Sequence, residues 1–468
     1  MRPFYNTFLF FMFGTLSLSG QMPEWAWASG GGGCELDYGT SISLDANRNL
    51  YLTGWFNSGS ISFGGTTLTN NGPEGTSDIF IAKYNADGDL LWVKNYGGAG
   101  DDRSVSIKTN GKGSFVLTGW FKTAALTLGS TTLKNSGGSD ILIARFDEEG
   151  TVLWAKSAGG IADDEGSSIS CDAADNIYVT GMYESASLNL GKAALTNVGN
   201  HDIFLASYDK SGQLLWAKNI GGKNDDNGST VTTDVDGNIY LSGKFRSATV
   251  SLGEKTLSNA GKDGNYGDIF MAKYNTSGKL IWVKSLGGSY YDEVYSITTD
   301  TKSNVYLTGW FKSDTIVFGC DTLMECTILT RAHGVEYGDV FIAKYDTYGE
   351  PVWAKRAGGM AKDYGFGITT NAAGDVYLTG IFESNYSATG QMKLTNARGN
   401  DIFISKYNPD GKVLWAKSIY GSAMARCITT DVNGDVYFAG VYHALEMRFG
   451  DTLLKNAGEG DIFVAKLK

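Results

Sequence analysis

The chain has 468 residues, of which 63 are Gly, only 5 are Pro and 13% are aromatic, a composition that suits short strands joined by tight turns. Because 42% of the residues are hydrophobic, a disordered chain is excluded. The net charge is −11, the Lys and Arg residues are scattered singly and only 3 His are present, so we expect neither nucleic-acid binding nor a His-based zinc site or catalytic triad.

Residues 1–20 are predicted to be an export signal. Arg2 supplies the positive end, residues 8–18 form a short apolar run, and residues 17–19 offer small side chains for cleavage. The run is shorter than the ~20 residues that span a bilayer, and no other stretch is long enough, so we expect no membrane span. A secreted, periplasmic or cell-surface protein that begins near Gly20 is predicted.

A tryptophan-bearing segment recurs seven times from residue 24 onward. The tryptophans are Trp27, Trp92, Trp154, Trp216, Trp282, Trp353 and Trp415. Their spacings of 65, 62, 62, 66, 71 and 62 residues hold four strands and their turns. Between them recur an Asp-Ile-Phe run, a Tyr-Leu-Thr-Gly-x-Phe run and a shorter run such as residues 41–45. Each run is rich in β-branched and aromatic residues and is bounded by Asn, Asp and Gly, which indicates strands and tight hairpins.

The repeats predict an all-β fold, a seven-bladed β-propeller with four antiparallel strands in each blade. The two ends of the chain indicate how the ring closes. Residues 461–468 supply a third strand with no tryptophan strand after it, and the first tryptophan strand has no unit before it. Pairing residues 23–29 with the last blade leaves no exposed edge. We therefore expect residues 21–468 to form a single domain and the protein to be a monomer.

These runs resemble the bacterial β-propeller repeat family known as SBBP, found mainly in exported proteins. The resemblance rests on Asp-Ile-Phe, Gly-x-Leu-x-Trp-x-Lys-x-x-Gly-Gly and Asn-Val-Tyr-Leu-Thr-Gly, and it covers nearly all of residues 24–468. It implies the fold but no single activity and no shared catalytic residues. The Gly-x-x-x-Trp run is also distantly similar to the tryptophan-docking repeat of quinoprotein dehydrogenases. That family usually carries a vicinal cysteine pair and a carboxylate–calcium site, and no Cys-Cys pair occurs in this sequence.

Residues repeated in every unit are expected to serve the blade. The tryptophan should fill the gap between blades, and the Asp of Asp-Ile-Phe should accept hydrogen bonds from backbone amides. A second aspartate follows Gly-Gly in six units, with Ala425 taken as its replacement in the seventh. These aspartates are Asp37, Asp102, Asp164, Asp226, Asp292 and Asp363. A broken acidic ring near the channel mouth is expected, for hydrogen bonding between blades or, alternatively, for calcium. No other cofactor and no dedicated metal site is predicted.

Five cysteines are present in a chain whose export would permit disulfides. Cys320 and Cys326 flank a short segment and are predicted to pair. Cys34, Cys171 and Cys427 lie in or beside the innermost strands, where a small buried side chain is the simplest interpretation.

Propeller topology places the 2–3 and 4–1 connections on one face. The 2–3 connections have 18 residues in four blades but 21, 22 and 27 in blades one, four and five. Tyr266 and Tyr337 lie in the two longest, Tyr290 and Tyr291 lie between those blades, and Trp310 ends a strand there. Aromatic side chains suit sugar rings or peptide side chains, although packing within the loops is the alternative.

The sequence therefore predicts a non-enzymatic extracellular binding or scaffold protein. It would present the face with long loops to a glycan or a protein partner, with Tyr266, Tyr290, Tyr291, Trp310 and Tyr337 as candidate contacts and no catalytic residue. A secreted carbohydrate-active enzyme or a quinoprotein-like enzyme is the alternative.

Overall fold

The computed structural model describes residues 22–261, 266–320, 326–332, 337–384, 387–388, 392–396 and 399–468. The regular structure of these residues is entirely β, with a four-stranded antiparallel sheet in each of seven blades, as predicted. No helix within the described ranges is long and apolar enough to cross a membrane. The predicted export signal, residues 1–20, lies outside the described residues.

The first strand of each blade lies innermost and lines the central channel. These strands are β2 (Asp37–Leu44), β8 (Asp102–Thr109), β14 (Asp164–Cys171), β20 (Asp226–Thr233), β26 (Asp292–Thr299), β32 (Asp363–Thr370) and β38 (Ala423–Thr430). Neighbouring inner strands contact one another around the whole ring, including β38 against β2. Each inner strand carries a β-bulge at its fourth residue, where the register with the second strand shifts by one.

The second and third strands form the core of each blade. The second strands are β3 (Leu50–Phe56), β9 (Phe115–Phe121), β15 (Ile177–Tyr183), β21 (Ile239–Phe245), β27 (Val305–Phe311), β33 (Val376–Phe382) and β39 (Val436–Tyr442). The third strands are β6 (Asp78–Tyr84), β12 (Asp140–Phe146), β18 (Asp202–Tyr208), β24 (Asp268–Tyr274), β30 (Asp339–Tyr345), β36 (Asp401–Tyr407) and β42 (Asp461–Leu467). Most of these strands are buried along their whole length because a neighbouring blade covers each face, which explains their continuous apolar runs.

The outer strands carry the repeated tryptophans. They are β7 (Leu90–Tyr96), β13 (Val152–Ala158), β19 (Leu214–Ile220), β25 (Leu280–Leu286), β31 (Pro351–Ala357), β37 (Val413–Ile419) and β1 (Trp25–Gly32). In six of them the indole reaches the next blade. Trp216 Nε1, for example, donates to the Thr276 carbonyl oxygen at 3.0 Å, and Trp282 Nε1 donates to that of Thr347 at 3.1 Å. Both acceptors lie in the turn between the third and outer strands, so the tryptophan joins blade to blade, as predicted.

The ring closes through strands from the two ends of the chain. Strand β1 pairs antiparallel with β42 from Trp25 opposite Leu467 to Gly31 opposite Ile462. The strand β1 extends to Gly32, three residues beyond the predicted segment. Glu24 and Lys468 exchange backbone hydrogen bonds of 3.0 and 2.9 Å. Blade seven therefore takes its outer strand from the start of the chain, which confirms the predicted closure.

The 2–3 connections contain β-hairpins that the sequence analysis treated as loops. They are β4 (Ser60–Phe63) with β5 (Thr66–Thr69), β10 (Ala125–Leu128) with β11 (Thr131–Lys134), β16 (Ser187–Asn189) with β17 (Ala194–Thr196), β22 (Thr249–Leu252) with β23 (Lys255–Ser258), β28 (Thr315–Cys320) with β29 (Cys326–Thr330), β34 (Ser387–Ala388) with β35 (Met392–Lys393), and β40 (Glu446–Phe449) with β41 (Thr452–Lys455). Strand β4 pairs with β1 of the preceding blade, and Gly221 forms a comparable bridge to Ser251. Much of each 2–3 connection is therefore a hairpin that contacts the preceding blade and stabilises the interface between the two. Of the insertions that lengthen blades four and five, residues 262–265, 321–325 and 333–336 lie outside the described residues.

Hydroxyl groups at the far end of the inner strands also join the blades. Thr299 Oγ1 donates to the Thr233 carbonyl oxygen, and Thr370 Oγ1 to that of Thr299, both at 3.0 Å. The equivalent position in blade one is Leu44, which has no hydroxyl to donate toward Thr430 of blade seven. The closing interface therefore depends more heavily on the pairing of β1 with β42.

Candidate functional site

The central channel has a volume of about 930 Å³ and is lined by inner strands from all seven blades. Midway along it, the sixth residue of every inner strand is a buried Ile or Val. These seven residues pack in the hydrophobic clusters between the blades, and they are Ile42, Ile107, Ile169, Val231, Ile297, Ile368 and Ile428. A position that repeats in this way serves the ring itself, so chemistry specific to this protein must lie elsewhere along the channel.

The repeat breaks at the channel mouth on the face of the 2–3 and 4–1 connections. The second residues of the inner strands are Tyr38, Arg103, Glu165, Asn227, Glu293, Tyr364 and Met424. Their cross-strand partners on the second strands are Trp55, Trp120, Met182, Lys244, Trp310, Ile381 and Val441. Nearly every blade contributes a different pair at a position where the surrounding framework is uniform. We call these fourteen residues, with Tyr295, Phe366 and Arg426 from the fourth inner-strand position, the mouth ring.

Blades one and two contribute a stack of rings around an arginine. The Tyr38 and Trp55 rings stack with centroids 4.9 Å apart. The Arg103 guanidinium lies 4.1 Å from the Trp55 ring centroid and 5.2 Å from that of Trp120. Trp55 packs on the Tyr38 ring and on Arg103, whereas Trp120 meets the Arg103 guanidinium and the Lys122 ammonium, 5.7 Å from its centroid, but no other ring among the described residues. Trp120 is therefore the indole better placed to stack on a ligand.

Blades five to seven continue the mouth ring with a second aromatic group. Tyr364 and Phe366 are parallel, with centroids 5.9 Å apart, and Trp310 lies 5.2 Å from Tyr364. Tyr295 contacts Phe366 at 5.1 Å. The Arg426 guanidinium lies 4.8 Å from the Phe366 centroid. Aromatic and guanidinium groups therefore alternate around more than half of the mouth.

Glu293 is tied into this group by three donors. Lys244 Nζ lies 2.5 Å from Oε1, while Tyr295 Oη donates to Oε2 at 2.8 Å and Trp310 Nε1 at 3.2 Å. Burial alone would raise the pKa of Glu293, but the Lys244 ammonium and these hydrogen bonds lower it below its usual value. This carboxylate stays ionised and orients Trp310, which makes it a poor proton donor.

Glu165 is the contrasting carboxylate, on the blade-three side of the mouth. It lines the channel, and among the described residues it has no hydrogen-bond or ion-pair partner. Burial and the nearby Asp163 carboxylate raise its pKa above the usual value. Its oxygens are therefore available to accept hydrogen bonds from a ligand.

The predicted contact residues divide between two places. Tyr266, Tyr290 and Tyr291 form a compact cluster between blades four and five, with centroids 4.1 Å apart for Tyr266 and Tyr290 and 4.9 Å apart for Tyr266 and Tyr291. Trp310 belongs to the mouth ring instead. Tyr337 is 38% exposed and lies near Lys362, whose Nζ is 5.7 Å from its ring centroid. The five residues thus share one face of the propeller without forming one site.

The cysteines are arranged as follows. Cys320 and Cys326 are directly opposite in the register of β28 and β29, which is compatible with the predicted disulfide, although the Cys320 side chain lies outside the described atoms. The other three cysteines are free thiols. Cys34 is exposed, contrary to the expectation of a buried side chain, because it lies in the 4–1 connection just beyond β1.

The repeated aspartates are structural, and they do not form an acidic ring in the channel. Asp292 is fully buried at the start of its strand and accepts from Ser313 Oγ at 2.8 Å and from the Ser313 backbone N–H at 3.3 Å. The register shows that the replacement in blade seven is Ala423, so the assignment of Ala425 was wrong by two residues. The serine that binds the aspartate in other blades, such as Ser313, is also replaced in blade seven, by Ala444. The described residues contain no group of His, Cys, Asp or Glu suited to hold a metal ion.

We expect the protein to be less stable at pH 8 than at pH 5, by several degrees in melting temperature. Burial raises the pKa of Asp37 and Asp292 to about 7 and that of Asp102 to about 6, against roughly 3.9 in an unfolded chain. A raised pKa stabilises the folded state fully below pH ~4, and this stabilisation is lost as the pH rises through 6 to 7. Thermal melts across this range measure it.

The matched variants separate this effect from net charge. Asp292→Asn cannot titrate and should reduce the pH dependence by its own share, while Asp37 and Asp102 keep theirs, whereas Asp87→Asn removes the same charge from an exposed turn and should leave the pH dependence intact. Equal pH profiles for the two variants would contradict the assignment to buried carboxylates.

The sequence analysis missed most of the mouth ring, although a signal for it was present. When the seven repeats are aligned on Asp-Ile-Phe and on tryptophan, the second and fourth positions of the inner strand stand out because they vary in charge and size. The prediction relied on the length of the connections, so it selected residues at the periphery of this face. Of the five predicted contacts, Trp310 alone belongs to the mouth ring.

The family comparison agrees with this architecture. The model of the SBBP β-propeller repeat matches residues 281–310, which run from the outer strand of blade four to the second strand of blade five. The chain carries an SBBP β-propeller repeat. The predicted resemblance is therefore confirmed over these residues, which include Glu293, Tyr295 and Trp310 of the mouth ring.

Two curated relatives are similar over part of this chain. The uncharacterized WD repeat-containing protein L264 of Acanthamoeba polyphaga mimivirus is 23% identical over 333 residues, and the regulatory protein FlaEY of Caulobacter vibrioides is 25% identical over 179 residues. The alignments cover 58% and 38% of this chain but only 23% and 18% of the relatives, so the chain spans less than a quarter of their length.

Solved structures with a similar course of the chain include a streptogramin B lyase and the WD40 domain of Neurospora crassa Pan2. The lyase has a TM-score of 0.40 at 10% identity and covers 92% of this chain and 93% of its own. The Pan2 domain has a TM-score of 0.37 at 9% identity, with 91% and 88% covered. Similarity at this level carries no argument about function, which therefore rests on the mouth ring.

Proposed function

We propose that this protein is an exported, non-enzymatic binding protein that takes a glycan into the mouth of its central channel. The observation that carries the proposal is the break in the repeat at the mouth ring. Seven nearly uniform blades place different aromatic, charged and amide side chains around one opening, on the face predicted to bind. A rigid scaffold with specific polar and aromatic groups in one cavity is the usual form of a binding site.

The lining of the channel supports a ligand rich in hydroxyl groups. Ser106 Oγ and Ser168 Oγ each accept a backbone N–H from the next blade, at 3.3 and 3.1 Å. A serine hydroxyl that accepts such a bond keeps its own proton for donation. Trp120 and Trp310 at the rim add apolar surface that suits the carbon face of a sugar ring. The predicted signal at residues 1–20 supports encounter with the ligand outside the cytoplasm.

The direct test is binding of residues 22–468 to an immobilised glycan array, followed by calorimetry with the best ligand. Trp310→Ala and Trp120→Ala should each weaken binding by about 2 kcal/mol or more, roughly 30-fold, as truncation of a central aromatic contact does. Tyr348→Ala is the matched control, because Tyr348 is 76% exposed in a turn on the opposite face. It should bind like the unaltered protein.

Two further results would decide against this site. If Tyr290→Ala abolishes binding while both tryptophan variants bind normally, the tyrosine cluster between blades four and five is the site. If no glycan binds and a protein partner is captured through the mouth ring, the ligand class is wrong.

An enzyme remains the second candidate function because of Glu165. A carboxyl group whose pKa is raised by burial at the mouth of a cavity suits a general acid. A carbohydrate-active enzyme predicts that the bound glycan is cleaved and that Glu165→Gln stops cleavage while binding persists. Recovery of the intact glycan after prolonged incubation supports the binding protein.

A further inference from the structure

Arg426 is a guanidinium held in the channel mouth without an anionic partner. It stands in the fourth position of inner strand β38, where other blades carry residues such as Thr40 or Ser229. Its guanidinium carbon is 4.8 Å from the Phe366 ring centroid and 5.8 Å from that of Tyr38. Within the described ranges, no acceptor lies within hydrogen-bond distance of its nitrogen atoms. The two rings flank the group, and its nitrogen atoms stay available to a ligand.

Blade seven has also lost the carboxylate that its neighbours carry. In the other six blades a buried aspartate begins the inner strand, whereas Ala423 stands at that position here. The arginine is therefore introduced in the blade with the least negative charge near the start of its inner strand. A repeat with the same residues in every blade would contain neither this arginine nor this loss of the aspartate.

The second arginine of the mouth ring is already engaged. Arg103 Nε donates to Ser77 Oγ at 3.1 Å, and a guanidinium nitrogen lies 3.9 Å from Asp101 Oδ1. Lys244 is likewise paired, with Glu293. Arg426 is thus the mouth cation with its donors most available. A chain of net charge −11 that keeps such a cation half-buried in a cavity has a local site for an anion.

We propose that Arg426 binds the carboxylate of a uronic acid, so that the glycan is an acidic one. This rests on the proposed function. A planar guanidinium fork matches a carboxylate through two parallel hydrogen bonds. A single available fork suits a monoanion better than a doubly charged phosphate. Glu165 lies in blade three, across the channel from blade seven. There its carboxylate accepts hydrogen bonds from the sugar hydroxyls and repels the carboxylate of the ligand, which is thereby directed toward Arg426.

The test compares an oligogalacturonate with its carboxyl-reduced, neutral counterpart, by calorimetry on residues 22–468. The unaltered protein should bind the acidic oligomer at least tenfold more tightly. Arg426→Gln should weaken acidic binding about 10- to 100-fold and leave binding of the neutral oligomer unchanged, because a charge-assisted hydrogen bond is lost. Arg426→Lys keeps the charge without the fork and should lie between the two.

Arg448→Gln is the matched control, since Arg448 is exposed on the hairpin of the same blade. It should bind both oligomers like the unaltered protein, and thermal melts confirm that each variant is folded. Equal affinity of the unaltered protein for both oligomers, or an equal loss in the two arginine-to-glutamine variants, overturns the role of Arg426 but leaves glycan binding standing. Binding of neither oligomer, with no glycan bound on the array, overturns the proposed function together with this inference.

Discussion

Deleting residues 461–468 will leave a chain that does not fold cooperatively. The deletion removes β42, which lies between β39 and β1 in blade seven, and no other strand of the described residues joins β1 to that blade's sheet. The large apolar side chains lost are Ile462, Phe463, Val464 and Leu467, each at most 1% exposed. At ~1.5–3 kcal/mol each, they contribute roughly 6–12 kcal/mol, which is comparable with the whole stability of a typical domain.

A permuted chain separates ring closure from chain shortening. It begins at Gly33 and carries residues 22–32 after Lys468 through a short turn, so every strand pairing is kept. Circular dichroism melts should show a single transition near that of residues 22–468 for the permuted chain and none for residues 22–460. A truncated chain that melts within a few degrees of the full-length protein would show that closure contributes little.

Gly278→Ala will destabilise the protein by roughly 3 kcal/mol or more. Gly278 has a φ of +77°, which costs an L-residue about 1–2 kcal/mol. A Cβ at this position would also lie 2.8 Å from Trp216 Cδ2, and such overpacking typically adds ~1–3 kcal/mol. The substitution also disturbs the turn whose Thr276 carbonyl accepts from the indole of Trp216.

Gly111→Ala is the matched control. Gly111 has a φ of +73°, but a Cβ there would meet nothing within 4 Å, so only the backbone cost of about 1–2 kcal/mol is expected. Urea unfolding of both variants measures the difference. In a Trp216→Leu background, Gly278→Ala should cost no more than Gly111→Ala. An unchanged extra cost in that background would show that the indole contact is not its source.

The number of blades, the four-strand repeat and the closure of the ring were predictable from the sequence. Each depends on features that are local in the chain: the spacing of Trp92 and Trp154, the continuous apolar run of residues 78–84, and turns of Asn, Asp and Gly. The hairpins were also encoded locally. Residues 60–69 alternate in hydrophobicity around Gly64 and Gly65, whose φ values of 51° and 90° suit a tight hairpin, but the strands of only four residues were taken for loop.

Only the tertiary structure placed the mouth ring together. Tyr38, Trp55, Arg103 and Arg426 come from three different repeats, and Arg426 is 388 positions from Tyr38 in the chain. They meet because ring closure brings blade seven against blade one, and because the fourth residue of each inner strand lines the same channel, together with the second residue in blades one to three. Local pattern determines each strand, whereas the identity of the groups that share the mouth depends on contacts between strands that are distant in sequence.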